Sequence, residues 1–204
     1  MAFTKQHPYR SRLILPALAA TLFAVVSGLA LSACGSSSQA EKTGSQKTEE
    51  PADKPAFDES SYTGPNFALM SVDGPVVKFT DLLGKGPVAL NFWGTWCPPC
   101  RREMPEFKRI WAEYESKGVQ LVGVALRDTP LRVLNYTTQQ EITWLQLMGT
   151  PQTANDYGRI NGIPTTIFYS SQGVELSRYV GPMPYYLLEQ RLDEALAHEV
   201  NQAS

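Results

Sequence analysis

Two hydrophobic patterns divide the chain. Residues 13–31 form one unbroken apolar run, LILPALAATLFAVVSGLAL. From about Ser61 onward, apolar residues come in short runs and periodic stripes, the pattern of a packed α/β core. Between them, residues 35–60 are small, polar and charged, with Phe57 as the one large apolar residue. Too little apolar surface lies there to offset the entropy of ordering it.

The periodic part predicts a series of elements. Phe67 to Val72 and Val76 to Phe79 flank Asp73-Gly74, which signals a hairpin. Val88 to Trp93 is a nearly continuous apolar run, as in a strand buried on both faces. From about Pro98 to Lys117, Met104, Phe107, Ile110, Trp111 and Tyr114 recur at three- and four-residue steps, predicting a helix. Pro105 should kink it and Gly118 should end it. Val119 to Leu126 reads as a second buried strand, 130–140 as a helix and 142–148 as a short strand. Residues 151–160 read as a short helix or turn. Ile163 to Tyr169 and Val174 to Val180 read as strands joined by a turn, and Pro184 to His198 as a closing helix. Strands alternating with helices point to an α/β fold with helices flanking a central sheet.

The N-terminal run has a different meaning. Lys5, Arg10 and Arg12 precede it with no acid among them. A positive flank, an apolar stretch and then small residues form a signal-peptide pattern. The run ends Leu31-Ser32-Ala33-Cys34-Gly35, which resembles the lipobox of bacterial lipoproteins. The resemblance implies cleavage before Cys34 and a lipid on its sulfur; an uncleaved membrane anchor is the alternative. The expected organisation is a signal peptide over 1–33, a lipidated Cys34 with a flexible tether over 34–60, and a folded domain over 61–204. Either reading places the domain outside the cytoplasm, at the cell membrane.

Composition narrows the function classes. Of 204 residues, 43% are hydrophobic and 19% charged, enough to build a core. The net charge is −2, and losing residues 1–33 removes three basic residues and no acid, taking it to −5. An acidic domain has no means of holding a phosphate backbone, so nucleic acid is not an expected partner. The chain has three Cys and two His, His7 and His198; with Cys34 lipidated and His7 lost with the signal peptide, Cys97, Cys100 and His198 fall one short of the four ligands of a structural zinc. No metal and no cofactor are expected.

The chemistry-bearing segment is Trp96-Cys97-Pro98-Pro99-Cys100. Cys97 follows a buried strand and opens a helix. Its sulfur should therefore lie near unpaired helix N–H groups, which favour the thiolate. Two intervening residues bring Cys100 back within one turn, close enough for a disulfide. On this reading Cys97 is the exposed attacking thiol and Cys100 the resolving thiol. Half of a zinc site and a structural disulfide are the alternatives.

LNFWGTWCPPCRREMP, Leu90 to Pro105, resembles the active-site segment of thioredoxin-fold proteins, and most of all the extracytoplasmic TlpA/ResA-like group. The likeness extends to the hairpin before it, to GVALRD at 123–128, and to GIPTTIFYSSQGVELSRYVG at 162–181. It implies a thioredoxin-like fold, a central mixed sheet flanked by helices with an extra N-terminal hairpin. It further implies that Cys97 and Cys100 form the catalytic redox disulfide, with Trp96, Pro98, Pro99, Glu103 and Pro164 supporting the site. Trp96, Ile163 and Pro164 would meet the substrate. Pro164 matches the cis-proline of this fold, which would turn the Ile163 backbone toward an extended substrate segment. A trans proline entering a strand is the alternative. Thioredoxin carries a buried Asp where this chain has Asn91, and Asn91 cannot ionise. Glu103 matches a Glu near the site in ResA-like members and could relay a proton to Cys100; a solvent-facing helix Glu is the alternative.

The implied activity is reduction of protein disulfides, for example in cytochrome c or copper-centre maturation. Pro98 and Pro99 lack N–H groups to stabilise a thiolate, which favours a reducing site. The implied partners are a disulfide-containing extracytoplasmic protein and a thiol-transferring membrane electron donor. A disulfide-forming oxidase of the same fold, a thiol peroxidase, a copper-handling protein and a lipoprotein that binds a partner without redox turnover are competing readings.

Overall fold

The computed structural model describes residues 57–202. The expected signal peptide, Cys34 and residues 34–56 of the tether lie outside them. A five-stranded mixed sheet forms the centre, in the order β5-β4-β3-β6-β7. Strands β3 (Val88–Trp93), β4 (Gln120–Ala125) and β5 (Leu145–Met148) run parallel. They are joined by helices α1 (Pro98–Tyr114) and α2 (Pro130–Gln139). Strands β6 (Thr165–Tyr169) and β7 (Glu175–Val180) are antiparallel, and α4 (Tyr185–Gln202) closes the fold. A short α3 (Pro151–Asp156) precedes β6.

The predicted N-terminal hairpin is present as β1 (Ala68–Met70) and β2 (Val76–Lys78), antiparallel and shorter than the pattern suggested. It sits against the outer edge of β5, where Ser71 bridges Leu147 and the Val72 N–H donates to the Gln146 carbonyl at 3.0 Å. An unpaired strand edge is thereby covered.

All six residues of β3 are buried, as a strand sandwiched between two layers must be. Side chains alternate across the sheet. Ala89 and Trp93 join a core with Phe107, Ile110, Leu188 and Leu192 of the helices. Val88, Leu90 and Phe92 join a second core with Phe67, Phe79, Tyr157 and Tyr169. By the same alternation, Asn91 faces α1.

The long helix starts as the sequence requires. Cys97 is its N-cap, with backbone φ −95° and ψ 106°, and Pro98 takes the first helical position, where its missing N–H costs nothing. Its buried stripe is Cys100, Glu103, Met104, Phe107, Ile110 and Tyr114. The helix continues through the exposed Pro105 to Tyr114, and Glu115–Lys117 finish it as a 3-10 turn. Gly118 then reverses the chain at φ +83°, a conformation open to glycine.

Candidate active site

The site forms where β3 gives way to α1. Cys97 and Cys100 are joined by a disulfide with Cα atoms 5.3 Å apart. The Cys97 N–H donates to the Gly94 carbonyl at 3.1 Å, closing a turn, and the Arg101 N–H donates to the Cys97 carbonyl as the first helical bond. The Cys97 sulfur accepts from the Cys100 N–H at 3.2 Å. It thus occupies the capping role that Ser or Asp fills in other helices, and meets the one early N–H that the two prolines leave in its reach.

The disulfide is more covered than the sequence suggested. Cys97 is only 3% exposed and Cys100 is fully buried, so Cys97 is not an exposed thiol in this oxidised form. The cover comes from the loop before β6. The Ile163–Pro164 peptide bond is cis, and the Ile163 carbonyl oxygen lies 3.7 Å from the Cys97 sulfur. Pro164 is buried and Ile163 half-buried. Trp96, by contrast, is 44% exposed. Its indole N–H donates to the Leu126 carbonyl at 3.0 Å, and the Arg127 guanidinium stands 4.7 Å from its ring centre.

Behind the cysteines lies a buried carboxyl group. Glu103 is 2% exposed, which rules out the solvent-facing alternative. It stands one turn beyond Cys100 on the same helix face, where Cβ atoms are about 5–6 Å apart. One oxygen accepts from the Asn91 side-chain amide at 3.1 Å and the other from the Met183 N–H at 3.0 Å. Asn91 also donates to the Thr166 hydroxyl at 3.0 Å, its directly paired neighbour on β6. Burial pushes the Glu103 carboxyl up to about 7, against the opposing pull of the two donated hydrogen bonds. Asn91 therefore supplies a donor to the carboxylate and no ionisable group of its own.

Several supporting residues escaped the sequence reading. Asp128, just past β4, accepts the Thr95 N–H at 2.7 Å and anchors the loop before Cys97. Met183 reaches the site from the loop before α4, eighty residues from Glu103. Trp93 donates its indole N–H to Gln146 on β5 at 3.0 Å. A side chain at Gly123 would strike that amide and that ring, so the pair requires glycine there. Trp93 and Trp144 are core residues. Pro98 is exposed and Pro99 is half-buried at the helix start.

These features recur among known proteins. The AhpC/TSA family model matches residues 62–174, more than half of the chain. The thiol-disulfide oxidoreductase ResA of Bacillus subtilis is 32% identical over 132 residues, covering 65% of this chain and 73% of that protein. That of Halalkalibacterium halodurans is 31% identical over 128 residues, covering 63% and 72%. A thiol:disulfide interchange protein of the thioredoxin family from Chlorobium tepidum has a TM-score of 0.59 at 30% identity, covering 72% of this chain and 99% of that one. The chain belongs to the AhpC/TSA family and is a thioredoxin-fold, ResA-like thiol-disulfide oxidoreductase.

Proposed function

We propose that this enzyme works as a reductase of protein disulfides outside the cytoplasm, held at the membrane by a lipid on Cys34. The observation that carries the direction is the carboxyl group of Glu103, 2% exposed and one turn behind Cys100. A negative charge there opposes thiolate formation. The prolines at 98 and 99 withhold two N–H donors that would favour it. A less stable thiolate makes the reduced enzyme a better electron donor.

In the forward reaction, the Cys97 thiolate attacks a substrate disulfide. A Cys97–substrate disulfide forms, and the second substrate sulfur leaves and takes up a proton. Glu103, as carboxylate, accepts the proton from Cys100. The Cys100 thiolate then attacks the Cys97 sulfur, which forms the intramolecular disulfide and releases the first substrate sulfur as a thiolate. Two electrons pass to the substrate, and a thiol-transferring membrane donor restores the dithiol. The Ile163 carbonyl, 3.7 Å from the Cys97 sulfur, pairs with an extended substrate segment during the first step. Trp96 offers a flat contact beside it. Apocytochrome c and copper-centre assembly proteins are the substrate classes that the ResA likeness favours.

The signal segment over 1–33 and the tether beyond Cys34 support the location.

The test of direction is the reduction potential in glutathione and dithiothreitol buffers. A value at or below about −270 mV supports a dedicated reductase, and one near about −120 mV reverses the direction. Metabolic labelling with a fatty acid, in wild type and Cys34→Ser, tests the anchor; label persisting in the variant would exclude it.

A further inference from the structure

Beside the loop that covers the disulfide lies a pocket of about 340 Å³. Leu126, Ala154, Ile160 and Ile163 give it apolar walls, and Arg127 supplies the one charged side chain in its lining. Ile163 thus serves two places: its carbonyl meets the Cys97 sulfur, and its residue borders the pocket.

Arg127 is set up for a ligand. It is exposed, and no carboxylate pairs with it among the described residues. The neighbouring Asp128 is spoken for, since its two oxygens accept the Thr95 and Thr129 N–H groups at 2.7 and 2.9 Å. The guanidinium stacks 4.7 Å from the Trp96 ring centre. Such stacking restrains a long side chain and leaves the edge of its planar fork open to donate to a carboxylate. The backbone bears a cost for this placement, because Arg127 has φ +52° without being glycine.

We propose that this pocket is a substrate subsite that takes an acidic side chain, Asp or Glu, within two residues of the cysteine under attack, with Arg127 binding its carboxylate. The inference rests on the reading of Cys97 as the attacking thiol. An extended segment advances about 3.3 Å per residue with side chains alternating in direction. A segment paired to Ile163 therefore carries a neighbouring side chain over the loop toward the pocket. The apolar walls receive its methylene groups, and the charge on Arg127 selects the head group. The subsite makes the enzyme discriminate among disulfides by sequence context, in addition to their accessibility.

The test uses the full chain with Cys100→Ser and Cys34→Ser, which leaves Cys97 as the one thiol of the three. Short peptides carry their cysteine as a disulfide with thionitrobenzoate. Attack by Cys97 joins the peptide sulfur to Cys97 and expels coloured thionitrobenzoate as a thiolate. Peptides differ only in Glu, Gln or Lys one or two residues from the cysteine. The Glu peptide should react about three- to tenfold faster than the Gln peptide, and the Lys peptide slowest. The preference should shrink in high salt. Arg127→Asn should bring the Glu-to-Gln ratio to about one, and Arg127→Asp should turn the preference toward Lys. Both replacements tolerate a positive φ. Because the readout is a ratio within each variant, a general change in reactivity cancels. Equal rates with Arg127 present, or a Glu preference that survives Arg127→Asn, would overturn the subsite and leave the attacking role of Cys97 standing. Absence of thionitrobenzoate release from every peptide would overturn the attacking role and the subsite together.

Discussion

On the side of the sheet that carries α1 and α4, β3 presents Ala89, Asn91 and Trp93; on the other it presents Val88, Leu90 and Phe92. The first side buries two polar groups: Glu103 with Asn91, Thr166 and Met183, and Trp93 with Gln146. The second is filled with rings. Phe79 stands 5.0 Å from Tyr169 and 5.7 Å from Tyr157, and Phe67 stands 5.6 Å from both Phe79 and Tyr157. The two cores lie one strand thickness apart and are built for different ends. The ring core supplies stability through apolar burial. The helix-side core carries a raised carboxyl group beside the dithiol, at an energetic cost. One strand serves both because its side chains alternate.

The sharpest way to break the comparison is at the sulfur. Cys97→Ser removes the nucleophile, and disulfide reduction should fall at least about a thousandfold with little change in unfolding by denaturant. Retained turnover would place the chemistry elsewhere. The next largest effect belongs to the other core. Phe79 is fully buried among four aromatic neighbours, Tyr62, Phe67, Tyr157 and Tyr169. Phe79→Ala should cost about 3–5 kcal/mol in a urea titration while the reduction potential of the folded protein stays as it was. A shifted potential would mean that the two cores are not separable.

Glu103 gives a pH signature. Its carboxyl is raised from 4.5 to about 7 in the folded protein. Between those values the folded state holds a proton that the unfolded state has lost. Stability is therefore greatest below about pH 4.5 as far as this group is concerned, and falls as pH rises through 7. The shift corresponds to about 3 kcal/mol as an upper bound. Glu103→Gln should flatten that fall, with denaturant midpoints at pH 5 and pH 8 drawn together, and should slow the resolving step most above pH 7. An unchanged pH profile would remove Glu103 from the proton path. The smallest effect is expected at Tyr169, whose buried hydroxyl has no hydrogen-bond partner among the described residues. Tyr169→Phe removes an unsatisfied polar group, so it should be neutral or stabilise by up to about 1 kcal/mol, read as the thermal midpoint. Marked destabilisation would show that the hydroxyl is satisfied in solution.

The element order was legible because each segment's apolar period matched its neighbours'. Val88–Trp93 is a strand end to end, and α1 begins at Pro98 as expected. Glu103 was half legible. Its position falls on the same stripe as Cys100, Met104 and Phe107, yet the charge of Glu argued for solvent. What reversed that was a pair of donors no local pattern displays, one from a neighbouring strand residue and one from a loop far along the chain. Asp128 and Arg127 were hidden for the same reason, since a contact across the sheet leaves no period in the sequence. The cover on Cys97 also depends on a distant loop, which explains why the thiol looked exposed when only its own helix was considered. Helix α4 runs to Gln202 because its buried residues Leu188, Leu192 and Ala195 anchor turns that continue past them.

The hairpin on the edge of β5 has a mechanical consequence. It precedes the catalytic strand in the chain and bonds to the sheet at its border through Ser71 and Val72, while Leu69 and the flanking Phe67 are buried in the ring core. A pull arriving from the N-terminal side loads those border bonds together with the buried packing of Phe67 and Leu69. The central strand β3, bonded along its length to β4 and β6, resists by shear across many bonds at once. The hairpin thus meets tension from the N-terminal side before the strand that leads to Cys97 does.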